Sequence, residues 1–112
     1  MKNSNSEENY LKAIFYLTYK ASKGASTSDL AKRLKTQASS VTDMIKKLAE
    51  KGLLKYKKYQ GVILTAKGKG IAIEIIRKHR LWEVFLVEKL SFKWDEVHDI
   101  AEQLEHIHSK EL

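Results

Sequence analysis

The sequence predicts a mostly α-helical protein interrupted by one short β-hairpin. Three observations predict it. Proline is absent from all 112 residues, so nothing obliges a long helix to kink or stop. Apolar side chains recur at three- and four-residue spacing in several separate stretches. One stretch, residues 53–65, is instead rich in strand formers: Tyr56, Tyr59, Val62, Ile63 and Thr65.

The elements follow in chain order. Residues 7–21 form a first helix with Tyr10, Leu11, Ile14, Phe15, Leu17 and Thr18 on one face, ended by Gly24 and its Ser/Ala neighbours. Ser26 or Thr27 caps a short helix through Leu34, with Leu30, Ala31 and Leu34 inward. Residues 35–38 make a turn. Ser39 and Ser40 open a third helix that runs to Lys51 and buries Val41, Met44, Ile45 and Leu48. Gly52 stops it. Strands 53–59 and 62–65 flank Gln60-Gly61. Thr65 caps a long fourth helix, 66–90. Ser91 caps a fifth, 92–108, with Asp95 and Glu96 near its positive end.

Three helices followed by a hairpin is the order of a winged helix-turn-helix, in which the second helix of the motif enters the major groove. Here that helix is 39–51. Its outward residues Ser39, Ser40, Thr42, Asp43, Lys46 and Lys47, with Gln37 just before it, are the candidate DNA contacts. Hydroxyls reach base edges or phosphates, and lysines mostly phosphates. The hairpin offers Lys55, Lys57, Lys58, Tyr56 and Tyr59 as a wing; Lys57, Lys58 and Tyr59 join the candidate contacts.

Charge supports the assignment. The net charge of +7 hides an asymmetry: residues 1–80 hold 18 Lys and Arg against 6 Asp and Glu, residues 81–112 hold 3 against 8. A basic part suits a polyanion, and an acidic part suits something else. The expected division is a DNA-binding domain over 1–75 and metal-binding and dimerisation helices over 76–112. Cysteine is absent, which excludes disulfides and thiolate metal sites. There is no apolar leader and no run approaching the roughly 18 residues that would span a bilayer. A cytoplasmic protein without membrane contact is expected. The chain is too short for a large catalytic cavity, so neither enzyme activity nor a small organic substrate is expected.

The acidic part carries a metal-like pattern. On a wheel at about 100° per residue, His98, Glu105 and His106 fall within roughly 60° of Glu102. Val97, Ile100, Ala101, Leu104 and Ile107 fall opposite. The same pattern also describes the solvent face of an amphipathic helix. On the fourth helix, His79 and Glu83 lie inside the apolar stripe Ala72, Ile75, Ile76, Trp82, Leu86, where ionisable groups need partners. A core histidine satisfied by a carboxylate is one reading. A mixed N/O ligand set for a divalent first-row ion is the other. His108 falls outside the set and reads as surface.

Several stretches resemble the diphtheria toxin repressor family of metal-dependent transcription regulators, including its manganese-sensing branch. They are residues 8–14 (ENYLKAI), 38–44 (ASSVTDM), 64–68 (LTAKG), 77–81 (RKHRL), and 97–99 with 102–106, E-x-x-E-H. The resemblance covers nearly the whole chain. It implies a primary metal site of Asn9, Glu102, Glu105 and His106. It implies a second site of His79, Glu83 and His98, with Arg80 holding an anion beside it. In the manganese branch, the histidine at position 79 helps to build a paired-metal site instead.

A carboxylate at Glu102, where iron-sensing members carry sulfur, resembles the manganese branch. That branch has two acidic residues on the first helix, where this chain has Asn9 and Lys12. The family continues into further helix and often an SH3-like domain, so the chain reads as truncated or minimal. The resemblance implies a homodimeric repressor that binds palindromic double-stranded DNA when loaded with Mn2+ or Fe2+, and so serves metal homeostasis. Zn2+ is favoured in vitro by affinity order alone. The alternative is a metal-independent winged-helix regulator whose acidic tail dimerises or binds a protein.

Overall fold

The computed structural model describes residues 3–20, 23–57 and 60–108. Seven elements follow one another: α1 (Asn5–Thr18), α2 (Thr27–Leu34), α3 (Ala38–Glu50), β1 (Leu54–Lys57), β2 (Gly61–Leu64), α4 (Ala66–Leu90) and α5 (Trp94–Leu104). The fold is the mostly helical one expected, with a single two-stranded sheet among the described residues. The chain divides into two compact units, 1–72 and 73–112, and α4 runs through the division. No helix among the described residues is long and apolar enough to cross a membrane.

The first unit is built around Leu11, Ile14, Leu30, Val41, Leu48 and Leu53, all but completely buried. Each helical contributor sits at the three- or four-residue spacing that puts it on one face. α1 starts earlier than its apolar pattern suggests. Ser4 caps it, accepting from Glu7 N–H at 3.0 Å, while Glu7 accepts from Ser4 N–H at 2.7 Å. This reciprocal box satisfies two otherwise orphaned donors. α1 ends at Thr18, three residues before the expected 21. Ser26 caps α2 through Asp29 N–H, as expected. α3 opens at Ala38 rather than Ser39, with Gln37 at its cap position and no side-chain capping bond.

β1 and β2 pair antiparallel, Leu54 opposite Leu64 and Lys57 opposite Gly61. The hairpin is also tied to the segment before α2: Ala25 N–H donates to Val62 O at 2.8 Å, and Val62 N–H to Ala25 O at 2.9 Å. Gly61 allows this approach. Its φ is +98°, and a Cβ there would stand 2.2 Å from Ala25 O. Thr65 caps α4 as expected, its hydroxyl accepting from Gly68 N–H at 3.2 Å.

The second unit is an α4–α5 pair sealed by Leu86, Val97 and Ala101, with Trp82, Val87, Phe92, Ile100 and Leu104 packed against them. Ser91 is not the cap of α5. It adopts φ +59° and closes α4, while Lys93 takes the cap position of α5. One residue thus separates the turn from the cap, and that residue, Phe92, is drawn into the apolar seam. Glu96 accepts from Lys93 N–H at 3.0 Å. α5 spans 94–104, shorter at both ends than the expected 92–108.

Two glycines on α4 give opposite expectations. A Cβ at Gly68 would lie 1.9 Å from Leu53 O, whereas one at Gly70 meets nothing within 4 Å. Gly68→Ala should therefore destabilise by about 1–3 kcal/mol through forced backbone displacement. Gly70→Ala should stabilise by up to about 1 kcal/mol through helix propensity. Thermal melts of both variants check this; equal shifts would contradict the packing at Gly68.

Candidate functional site

α4 and α5 bring three histidines and three carboxylates into one connected set. His79 is the hub. Its Nδ1 lies 2.6 Å from Glu105 Oε1, and its Nε2 lies 3.1 Å from Glu83 Oε2 one turn along α4. Glu83 Oε2 is in turn 3.8 Å from His98 Nδ1, and His98 Nε2 is 3.4 Å from Glu102 Oε2. His106 Nε2 stands 3.6 Å from Glu105 Oε2. The His79 and His98 rings are 4.8 Å apart.

Burial separates these groups. Glu105 is 0% exposed, and the His106 side chain is nearly as buried. Glu102 and His98 keep 42% and 63% of their side-chain surface. The solvent-face reading of the fifth helix therefore holds for Glu102 and His98 and fails for Glu105 and His106. Glu105 is the C-cap residue of α5, still in helical backbone with its N–H bonded to Ala101 O, and it borders the buried side of the helix next to Ala101. That edge of the polar arc is covered by His79 of α4.

Glu105 holds the pKa of His79 above the usual imidazole value, against the effect of burial, and Glu83 adds to the rise. Both ring nitrogens face carboxylate oxygens at hydrogen-bonding distance, which only a protonated ring can satisfy with two donors. A divalent cation suits the same surroundings. One ligand atom each from His79, Glu83 and His98 all lie within 4.8 Å of one another. Bonds of about 2.0–2.2 Å to nitrogen and oxygen would close that spread with small side-chain rotations. Asn9, in the first unit, has a buried Oδ1 with no hydrogen-bond partner. A buried carbonyl oxygen without a donor is costly and is a fitting ligand for a cation. The donor set of His79, Glu83 and His98 fits a hard or borderline divalent ion.

Sequence patterning missed Lys78. This lysine, one residue before His79, is buried and donates to Ile107 O at 2.9 Å; its Nζ also lies 3.0 Å from His108 Nδ1. It secures the chain just after Glu105 and His106. His108 is exposed as expected but is joined to Lys78. The one available signal was a charged residue directly beside the apolar stripe of α4. Arg80 is exposed and makes none of these contacts.

On the first unit, Gln37, Ser39, Ser40, Thr42, Asp43, Lys46 and Lys47 are all exposed, and Ser39, Thr42, Asp43 and Lys46 form one stripe of α3. Thr42 Oγ1 donates back to Ala38 O at 3.1 Å. Lys57 is exposed on β1. Lys58 and Tyr59 lie outside the described residues.

The His79–Glu105 pair has a definite pH dependence. Because the folded pKa of His79 is raised, its stabilisation is complete below the ordinary value of 6.5 and is lost as pH rises through the higher folded value. In metal-free protein, the His79 imidazole followed by NMR should titrate above 6.5, and Glu105→Gln should lower its midpoint. An unmoved midpoint would remove Glu105 as the cause.

Comparison with known proteins matches both parts of the chain. The model described as "Iron dependent repressor, N-terminal DNA binding domain" matches residues 2–62. "Iron dependent repressor, metal binding and dimerisation domain" matches residues 65–112. An uncharacterized HTH-type transcriptional regulator of Methanocaldococcus jannaschii is 38% identical over 109 residues, 97% of this chain and 87% of its own. The HTH-type transcriptional regulator MntR of Bacillus pumilus is 39% identical over 102 residues, 90% of this chain and 69% of its own. The solved structure of a manganese-dependent transcriptional repressor complex with manganese superposes with a TM-score of 0.81 at 42% identity, covering 95% of this chain and 48% of that one. The chain thus spans about half the length of that solved chain. These relatives are named as transcriptional regulators or repressors, not enzymes. With both halves matched in order, the chain belongs to the iron-dependent repressor family, as its motifs from the first helix to E-x-x-E-H imply.

Proposed function

We propose that the chain is a metal-responsive transcriptional repressor: a homodimer that binds a palindromic DNA operator when loaded with Mn2+ or Fe2+, and thereby adjusts supply of that ion. The observation that carries this reading is the convergence of His79, Glu83 and His98 on ligand distances. They lie in a unit that follows a basic helix-turn-helix in the same chain.

His79, Glu83 and His98 hold one ion; Glu102, Glu105 and His106, with Asn9, hold another. Arg80 serves an anion beside the first. When bound, the metal supplies concentrated positive charge where Glu83, Glu102 and Glu105 otherwise repel one another. Histidine ligands must be deprotonated to bind, so His79 exchanges its proton for the ion. Metal favours the DNA-binding state only by its differential affinity for it.

Dimerisation is supported by the apolar side chains that the second unit leaves exposed, among them Leu81, Phe85, Leu90 and Trp94. Covering such a patch with a second copy is favourable. A twofold dimer presents two α3 helices roughly 34 Å apart, one DNA turn, to the halves of a palindrome. Ser39, Ser40, Thr42 and Asp43 then address bases, with Gln37 at the edge. Lys46, Lys47, Lys57, Lys58 and Tyr59 address the backbone.

Two measurements test the proposal. An electrophoretic shift should be stronger with Mn2+ than with chelator. Equal shifts would sink the metal-responsive reading and leave a metal-independent regulator. Lys46→Ala should weaken binding to every sequence and reduce the slope of log K against log salt by about 1. Thr42→Ala should alter sequence preference and leave the slope unchanged. A slope unaffected by Lys46→Ala removes its phosphate assignment.

A further inference from the structure

A half-open cleft of about 180 Å³ lies where the end of α1 meets the hairpin and the first turn of α4. The residues that line it all belong to the first unit, 1–72. Phe15, Tyr19 and Ile63 give it apolar surface. The Phe15 and Tyr19 rings are stacked, 5.3 Å apart and 8° from parallel. Lys23, Lys57 and Lys69 also line it, one from the segment after α1, one from β1 and one from α4. All three lysines are exposed, and the described lining contains no Asp or Glu.

Neither packing nor DNA recognition accounts for this arrangement. Lysine stems that only shield apolar surface lie along it and leave no cleft. Here the space stays open. A phosphate contact on a duplex needs a cation at the surface, not a concave aromatic wall, and a cleft of this size admits no duplex. Charge and size together select another occupant. A cleft lined by one sign of charge over walls of low dielectric focuses its field on what sits inside, which here favours an anion. An apolar cavity of about 150 Å³ accepts a benzene ring, so the volume suits one ring with a small polar group. The stacked pair offers a further ring an offset or edge-on partner. Ammonium groups hold carboxylate or phosphate oxygens through charge-assisted hydrogen bonds. We propose that this cleft is a binding site for a small aromatic acid, a single ring carrying one carboxylate or phosphate group. Of the described lining residues, Lys57 is the one shared with the candidate DNA contacts.

Benzoate and phenyl phosphate are the probes, added to the full chain freed of metal and followed by amide NMR shifts and calorimetry. Benzamide is the uncharged ring; acetate and inorganic phosphate are the ringless anions. At least one acid should bind saturably with a millimolar or lower Kd, the scale for a ligand of about nine heavy atoms. The tighter of the two identifies the head group. It should bind about fivefold or more tightly than benzamide and than its ringless counterpart, because ring and charge both contribute. The shifts should centre on Phe15, Tyr19 and Ile63. Lys23→Gln and Lys69→Gln should each weaken the acid by about threefold, and together by about tenfold, as independent charges do. Lys23→Arg, which keeps the charge, should retain binding. Tyr19→Leu should weaken the acid by a similar factor to either lysine change. These three positions are exposed, so the fold does not depend on them.

No saturable shift with either acid up to about 20 mM overturns the proposal. So does benzamide binding as tightly as the acids, which would mark a plain apolar cavity. Ringless anions binding as tightly, or shifts scattered over the basic surface, would mark a plain basic patch and overturn it equally. If both lysine variants bind the acid like wild type, the proposal falls. A salt slope of DNA binding lowered by about 1 in each would then assign those lysines to the DNA footprint instead.

Discussion

Glu105 cannot be buried alone. An ionised carboxylate without solvent exposure needs a positive partner at close range. His79 supplies one, and facing Glu83 with its other nitrogen it extends the set to His98 and Glu102. Lys78, next to it on α4, fixes the carbonyl of Ile107 just beyond. Two consecutive residues of α4 therefore hold the end of α5, one by a side chain and one by the backbone. The apolar seam of Leu86, Val97 and Ala101 lies nearer the turn between the helices. The pair is closed by hydrophobic burial at one end and by charge at the other. The charged end needs a cation, and a proton or a metal meets that need.

The first unit uses a buried carboxylate differently. Glu7 satisfies the N-terminus of its own helix with one oxygen and meets Lys51 with the other. Burial raises its pKa, but the Lys51 ammonium and the Ser4 donors more than offset this, so the carboxylate is held below its usual range. The charge is thus retained where it can orient α3. The exposed stripe of α3 stays free of the tasks that hold the helix in place.

Local signals were legible where the responsible interaction spans few residues. Apolar spacing located every helix, Tyr56, Val62 and Ile63 marked the hairpin, and Thr65 was a recognisable cap. The Ser4-x-x-Glu7 box was equally local but hidden by an apolar pattern that begins later. Ser91 misled because a serine after a helix can also close it in a left-handed turn. The metal candidates on α4 were readable as ionisable groups in an apolar stripe. The interior position of Glu105 was not, because a helical wheel shows which residues share a face but not how far a neighbouring helix covers its edge. Pairs such as His79 with Glu105, or Glu7 with Lys51, are 26 and 44 residues apart. No periodicity carries information over that distance.

The double hydrogen bond between Ala25 and Val62 makes the wing something other than a free hairpin. Ser26, the next residue, caps α2, so β2 and the start of the helix-turn-helix share one anchored junction. An isolated two-stranded hairpin in water is marginal. Fastened this way, its ordering entropy is met during folding rather than at the moment of DNA recognition. Such preorganisation leaves more of the contact energy for affinity and places the wing and the reading helix in register before either touches a groove.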